Sequence, residues 1–289
     1  MPTSPAPPTV PAPPPDAPVG TLLRHWRQHR RWSQQDLAAE AEVSTRHLSC
    51  LETGRALPSR EMLLRLSERL AVPLRERNRL LTAAGYAPMY RERAWGDPAL
   101  QPAHAVVQQV LSAHEPFPAL AVDRHWHLVA LNRAASALLA GLDAHWLQPP
   151  VNVLRLSLHP QALAPRIANL PAWRTHLFER LAHQVQASGD PGLAALLHEL
   201  QALPRLPDEP AAATPPAQGL PALAVPLQLH SPAGLLSFIS TVTVFGTPVE
   251  VTLSELAIEA FFPADEATAA ALRALADTPP PAPPGPPPG

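Results

Sequence analysis

The chain has no lysine and one cysteine, Cys50, among 289 residues. A single thiol excludes an intrachain disulfide and suits a reducing compartment. No apolar run reaches the roughly 18 residues of a membrane span. The proline-rich N-terminus has no apolar h-region, so no secretory signal is expected. The signatures G-x-S-x-G, P-loop and G-x-G-x-x-G are missing too. His198-Glu199 opens an H-E-x-x-H pattern, but position 202 is Ala. His176, Glu179 and His183 share a helical face without completing a metal-ligand set, and His125-x-His127 stands alone. These absences argue against an enzyme and against any metal or cofactor. A soluble, cytoplasmic protein is the expectation.

What is present is unevenly spread. The formal net charge is −2. Residues 20–93 hold 14 Arg and 8 acidic residues, a net +6, whereas residues 94–289 hold 8 Arg and 15 acidic residues, a net −7. A basic block beside an acidic remainder implies that only the first block meets a polyanion. All 22 basic residues are Arg, which together with the Ala and Pro excess reflects base composition more than mechanism. Of 40 prolines, 9 fall in residues 1–19 and 8 in residues 279–288. Both ends therefore read as disordered or polyproline-II-like tails, passive or available to a proline-binding module.

Periodicity divides the rest. Residues 20–86 read as five short helices. Ser33, Ser44 and Ser59 are N-caps, Asp36 follows Ser33 at three residues, Pro73 falls in a first turn and Gly85 at a C-terminal cap. Residues 87–118 read as a linker with one helix. Residues 119–276 mix strand-like runs ("ALAVD", "HLVAL", "AVPLQLH", "LLSFISTVTVF") with helical ones ("RAASALLAGL", "PVNVLRLSLH", "AWRTHLFERLAHQVQAS", "GLAALLHELQAL", "DEATAAALRAL"). "SPAG" is a plausible hairpin turn, residues 204–221 are loop-like, and "SELAIEAFF" is ambiguous between helix and strand. The expected architecture is an all-α N-terminal domain followed by an α+β domain.

The stretch "STRHLSCLETGR" carries the chemistry. On a helical wheel Thr45, Ser49, Thr53, Arg46 and Cys50 occupy one arc of about 140°, with Leu48 and Leu51 opposite. Short side chains let a helix approach a surface closely, and an Arg beside them can hold a guanine edge or a phosphate. Gln34, at the start of the preceding helix, suits a phosphate oxygen. Arg55 and Arg60 follow the helix and can bracket a backbone. Ala38 and Ala39 permit tight packing of the two helices, as a helix-turn-helix requires. Two amphipathic helices joined by a tight turn also occur in ordinary bundles, and the wheel alone does not decide.

The run Trp32-Ser33-Gln34-Gln35-Asp36-Leu37-Ala38, Val43-Ser44, Leu48-Ser49, Leu51-Glu52-Thr53-Gly54 and Pro58-Ser59 resembles the Cro/lambda-repressor (XRE-type) helix-turn-helix over about 55 residues. The resemblance implies that Thr45, Arg46 and Cys50 face bases and Gln34 contacts phosphate. We add Ser49 to the base-facing set and Thr53, Arg55 and Arg60 to the phosphate set. It also implies that Arg27 and Glu52 form a structural ion pair. Glu42 stands where such domains often have Gly, at a turn that needs a left-handed residue, and costs roughly 1 kcal/mol there. Trp32 replaces a smaller residue.

Beyond this motif, "RHLSCLETGRALPSREMLLRLSERLAVPLRERNRLLTAAGYAP", "HEPFPALAVDRHWHLVALN", "PPVNVLRLSLHP", "LAPRIANLPAWRTHL" and "FISTVTVFGTPVEVTLSELAIEAFFPAD" resemble the MmyB-like subgroup of XRE regulators. That resemblance implies a PAS-like α+β sensor domain holding a small, lipid-like ligand. Trp126, Asn132, Asn152, Arg155, His159, Asn169 and Trp173 lie in otherwise apolar segments, as ligand-site residues do. The same residues could instead satisfy loops and helix ends. The partners expected are double-stranded DNA, a small molecule and a second copy, since one module this small makes few contacts. No membrane is expected as a partner. The competing function is a DNA-tethered protein-interaction module of antitoxin type.

Overall fold

A computed structural model describes residues 13–14, 16–207, 225–246, 248 and 250–277. Most of the expected tails and of the loop-like stretch 204–221 lies outside these residues, but Ala17 and Val19 of the stretch 1–19 are described and are buried in the helical core. Contacts gather the described chain into two units. One comprises residues up to Asp97 with Phe178–Gln201 and Phe245–Glu255, and the other Pro98–Leu177, Ala202–Val244 and the residues from Leu256 onward.

The first unit opens with five helices, α1 (Val19–His29), α2 (Gln34–Glu40), α3 (Thr45–Glu52), α4 (Arg60–Arg69) and α5 (Leu74–Ala83). Their starts follow local chemistry. The hydroxyls of Ser33, Ser44 and Ser59 accept from the backbone N–H of Asp36, His47 and Met62. Ser33 and Asp36 form a complete capping box, because Asp36 Oδ2 also accepts from Ser33 N–H at 2.8 Å. The Ser33 bonds lower the Asp36 carboxyl below the usual carboxylate range. Pro73 sits at the cap position before Leu74 rather than inside the first turn. Leu22, Leu23, Trp26, Leu37, Leu48, Leu51, Leu63, Leu66, Leu80 and Leu81 form one buried core. Burying each such side chain is worth about 1.5–3 kcal/mol.

The five helix ends share one device. Each is followed by a left-handed residue: Arg31 (φ 58°), Glu42 (φ 55°), Gly54 (φ 74°), Ala71 (φ 46°) and Gly85 (φ 84°). At every one the next residue's N–H returns to a carbonyl five positions back: Trp32 to Arg27, Val43 to Ala38, Arg55 to Cys50, Val72 to Ser67 and Tyr86 to Leu81. These are Schellman caps, and Trp32, Val43, Val72 and Tyr86 supply the apolar contact that accompanies them. Three of the five therefore bear a side chain at a position that favours glycine. Relieving Glu42 removes about 1 kcal/mol of strain, while glycine's freer unfolded chain takes back about 0.5 kcal/mol. Glu42→Gly is expected to raise the melting temperature by about 1–2 °C in a thermal scan. A fall would show that the Glu42 side chain makes a compensating contact.

The second unit is built on a five-stranded antiparallel sheet of β1 (Ala119–Val122), β2 (Leu128–Leu131), β3 (Leu227–Ser231), β4 (Gly234–Val244) and β5 (Ala257–Pro263), in the order β2-β1-β5-β4-β3. Helix α6 (Gln101–Ala113) precedes it. Helices α7 (Arg133–Leu138), α8 (Val153–Leu158), α9 (Leu170–Ser188) and α10 (Pro191–Gln201) are inserted between β2 and β3. Helix α11 (Val251–Ser254) lies between β4 and β5, and α12 (Glu266–Asp277) follows. Register is fixed by pairs such as Leu120 with Glu259 and Phe238 with Pro263. Phe238, Leu236 and Leu229 are buried, and Thr268 of α12 accepts from Ser237 N–H of β4 at 3.0 Å. The α+β expectation holds. The ambiguous "SELAIEAFF" divides, with Ser254 ending a short helix and Ala257 starting a strand. "RAASALLAGL" is helical only to Leu138, and Gly141 (φ 81°) follows the helix end. Among the described residues no helix is long and apolar enough to cross a membrane.

Candidate nucleic-acid interface

Helix α3 is held from behind and open in front. Leu48 and Leu51 are fully buried, Thr45, Arg46 and His47 are exposed, and Ser49 and Cys50 are half-buried. The hold comes from Glu52. Arg27 of α1 donates from Nε to Glu52 Oε1 at 2.6 Å and from Nη2 to Oε2 at 2.8 Å, a bidentate pair. Arg27 Nη1 also donates to Trp32 O at 2.8 Å. Gln34 Nε2 donates to Glu52 Oε2 at 2.8 Å. The carboxylate, with 1% of its side chain exposed, thus ties α1, α2 and α3 together. The ion pair implied by the family pattern is present.

This network redefines Gln34. An amide nitrogen carries two hydrogens. One is committed to Glu52, so the side chain has one N–H left to offer a phosphate, in a fixed direction. Thr53 is more committed still: its hydroxyl donates to Ser49 O at 2.7 Å, leaving no proton for a phosphate oxygen. Arg46, Arg55 and Arg60 are exposed and have no partner among the described residues. Three unpaired guanidiniums therefore stand at the start and exit of α3, together with the small groups of Thr45, Ser49 and Cys50. Bidentate guanidinium donors match both a guanine edge and a phosphate. Cys50 is a free thiol.

Gly20 on α1 carries a constraint that the sequence pattern does not mark. A Cβ there would lie 2.3 Å from Leu51 O and 2.8 Å from Glu52 O. The α1 and α3 backbones meet at this point, and only a missing side chain allows it. The sole local signal was a glycine just inside a helix start.

Of the seven residues expected at a ligand site, the three asparagines bond to backbone. Asn132 caps α7, accepting from Ala119 N–H and Ala135 N–H and donating to Leu111 O and Phe117 O. Asn152 caps α8 and donates to His125 O. Asn169 spans to β3, donating to Pro226 O and accepting from Gln228 N–H. Trp173 Nε1 donates to Ser157 Oγ at 3.1 Å, and Trp126 (φ 67°) is buried in the β1–β2 turn. His159 lies against Trp146, ring centroids 4.4 Å apart, and Arg155 is exposed. The asparagines were legible as N-caps, since "NRAASALL" and "NVLRLSL" each place Asn before a helical run. Asp123 organises the same turn, accepting from the backbone N–H of His125 and His127 and from His127 Nδ1. Among the described residues no three metal-capable side chains come together.

Known proteins bear on both halves of the chain. Residues 103–275 match the family described as MmyB-like transcription regulator ligand binding domain, and residues 18–80 match the helix-turn-helix domain. An uncharacterised HTH-type transcriptional regulator of Mycobacterium bovis is 33% identical over 128 residues, which is 44% of this chain and 45% of the relative. Counterparts in two strains of Mycobacterium tuberculosis show the same identity and coverage. The match spans less than half the length of these curated relatives. A solved RNA-binding light-oxygen-voltage receptor aligns over 90% of this chain and 64% of its own at 14% identity, with a TM-score of 0.25, too slight a likeness to bear on the fold. The ligand-binding family alone covers more than half of the chain, and with a helix-turn-helix ahead of it the protein belongs to the MmyB-like transcription regulators.

Proposed function

We propose that this regulator binds DNA sequence-specifically as a homodimer and that a small, lipid-like molecule in its ligand-binding domain modulates the binding. Helix α3 enters the major groove. Thr45, Arg46, Ser49 and Cys50 face base edges, while the remaining N–H of Gln34 and the guanidiniums of Arg55 and Arg60 hold the backbone. Thr53 closes the end of the helix. The observation that carries this reading is the outer face of α3, which is small, polar and flanked by unpaired arginines, on a helix locked by a buried carboxylate. A two-fold operator follows from two copies of one small module. The ligand belongs with the apolar segments that carry Trp126, Arg155, His159 and Trp173, the three asparagines serving as their scaffold. A ligand alters DNA affinity only by binding the two states unequally.

Arg46→Ala tests the readout. A base-reading Arg is expected to lose about 1–3 kcal/mol on the cognate sequence and little on sequences altered at the contacted pair. Equilibrium binding to a set of single-base operator variants measures this. Uniform loss on every sequence would make Arg46 a phosphate contact and remove it from the reading face.

A further inference from the structure

Val244 of β4 pairs with Ala257 of β5, so residues 245–256 form a closed loop rooted on that strand pair. Residues Phe245–Glu255 group with the helix-turn-helix unit. Within that unit the loop is held by charge and backbone. Arg75 of α5 donates from Nε to Glu255 Oε1 at 2.8 Å and from Nη2 to Oε2 at 2.9 Å, and also bonds Glu92. Arg93 bonds Glu250 and lies 3.8 Å from Asp97. Val251 N–H donates to Arg91 O at 2.8 Å, Thr252 Oγ1 donates to Arg93 O at 2.6 Å, and Val251 is fully buried. Helix α5 in turn packs on α1 and α4 and buries Leu80 and Leu81 in the common core.

This attachment has the composition of a releasable contact. One apolar side chain, Val251, is buried among several partly solvated ion pairs, with 13% to 51% of the acidic side chains Glu250, Glu255 and Glu92 exposed. The bidentate Arg75–Glu255 pair, tied also to Glu92, holds more than an isolated surface pair does, yet it remains within reach of water and weakens with salt. Docking also brings Glu250 and Glu255 onto the one basic block of the chain, opposing a polyanion.

We propose that the β4–β5 connector is an inhibitory latch, docked through Arg75–Glu255 and Arg93–Glu250 in the weak-binding state and released in the tight-binding state. It rests on the DNA-binding reading above and adds the route of control: a ligand that reshapes the β4–β5 pair moves the loop rooted on it. By linkage, DNA must then loosen the latch by the factor the latch costs DNA binding.

The test uses the full chain and a duplex selected by it from a randomised library. Two readouts are expected. Added duplex speeds hydrogen exchange at Val251 and Glu255 by about fivefold or more, while exchange in α3 slows. Arg75→Gln tightens duplex binding by a similar factor, although it removes a positive charge. Charge alone predicts the opposite sign, so tightening is the signature of release. Glu255→Gln should tighten binding too, and serves if Arg75→Gln does not fold. Unchanged exchange at 251–255 with protection of α3, or weaker binding by Arg75→Gln, overturns the latch and leaves the DNA-binding reading intact. Recovery of no duplex overturns both.

Discussion

Glu52→Ala is expected to cost about 3–5 kcal/mol of folding stability, enough to unfold the helix-turn-helix unit near physiological temperature. The reason is what the change leaves behind. Arg27, itself 8% exposed, keeps its charge and loses both partners of a bidentate pair. Gln34 loses its acceptor at the same time. Stranding a buried charge costs far more than the pair contributes over an apolar replacement. The double change Arg27→Met with Glu52→Leu is therefore expected to recover most of the loss, and Arg27→Met alone to cost nearly as much as Glu52→Ala. Urea denaturation of the wild type and the three variants measures these losses. A Glu52→Ala loss under about 1 kcal/mol would show that water reaches Arg27 and that the network is not what joins α1, α2 and α3.

Gly20→Ala is expected to cost about 3 kcal/mol, the upper part of the range for overpacking. Helix propensity by itself forecasts the reverse, since Ala in place of Gly inside a helix stabilises by about 1 kcal/mol. Contact decides the sign. The new methyl would sit 2.3 Å from Leu51 O, and a carbonyl inside α3 cannot swing aside as a flexible side chain would. Helix α1 must lift from α3, which also stretches Arg27 from Glu52. The effects of Gly20→Ala and Glu52→Ala should then be less than additive, because each removes what the other depends on. A stabilised Gly20→Ala protein, measured by the same denaturation, would mean that α1 and α3 stand further apart than described.

Much of this protein is legible along the chain because the governing interactions are short. Ser33 caps a residue three positions on, and the Glu42 strain follows from a turn between two adjacent helices. Leu48 and Leu51 fall on one side of α3 by helical period alone. The face of Thr45, Arg46, Ser49 and Cys50 is the complement of that apolar stripe, so it too was readable. The sequence is ambiguous where one residue type serves two ends. Asn132, Asn152 and Asn169 looked equally suited to a ligand and to a helix start, and their hydrogen bonds go to backbone. Polarity in an apolar segment signals a need for partners without saying which.

The sequence by itself determined the five helices, their caps, the basic charge of their block and the polar face of α3, since each depends on periodicity or on neighbours within a few residues. Tertiary structure alone decided that Gly20 is a contact point, that Gln34 is half committed to Glu52, and that Arg75 holds Glu255 from 180 residues away. Those pairings leave no periodic trace. Any of several arginines could have met any of several carboxylates, and only the folded path of the backbone selects the pair.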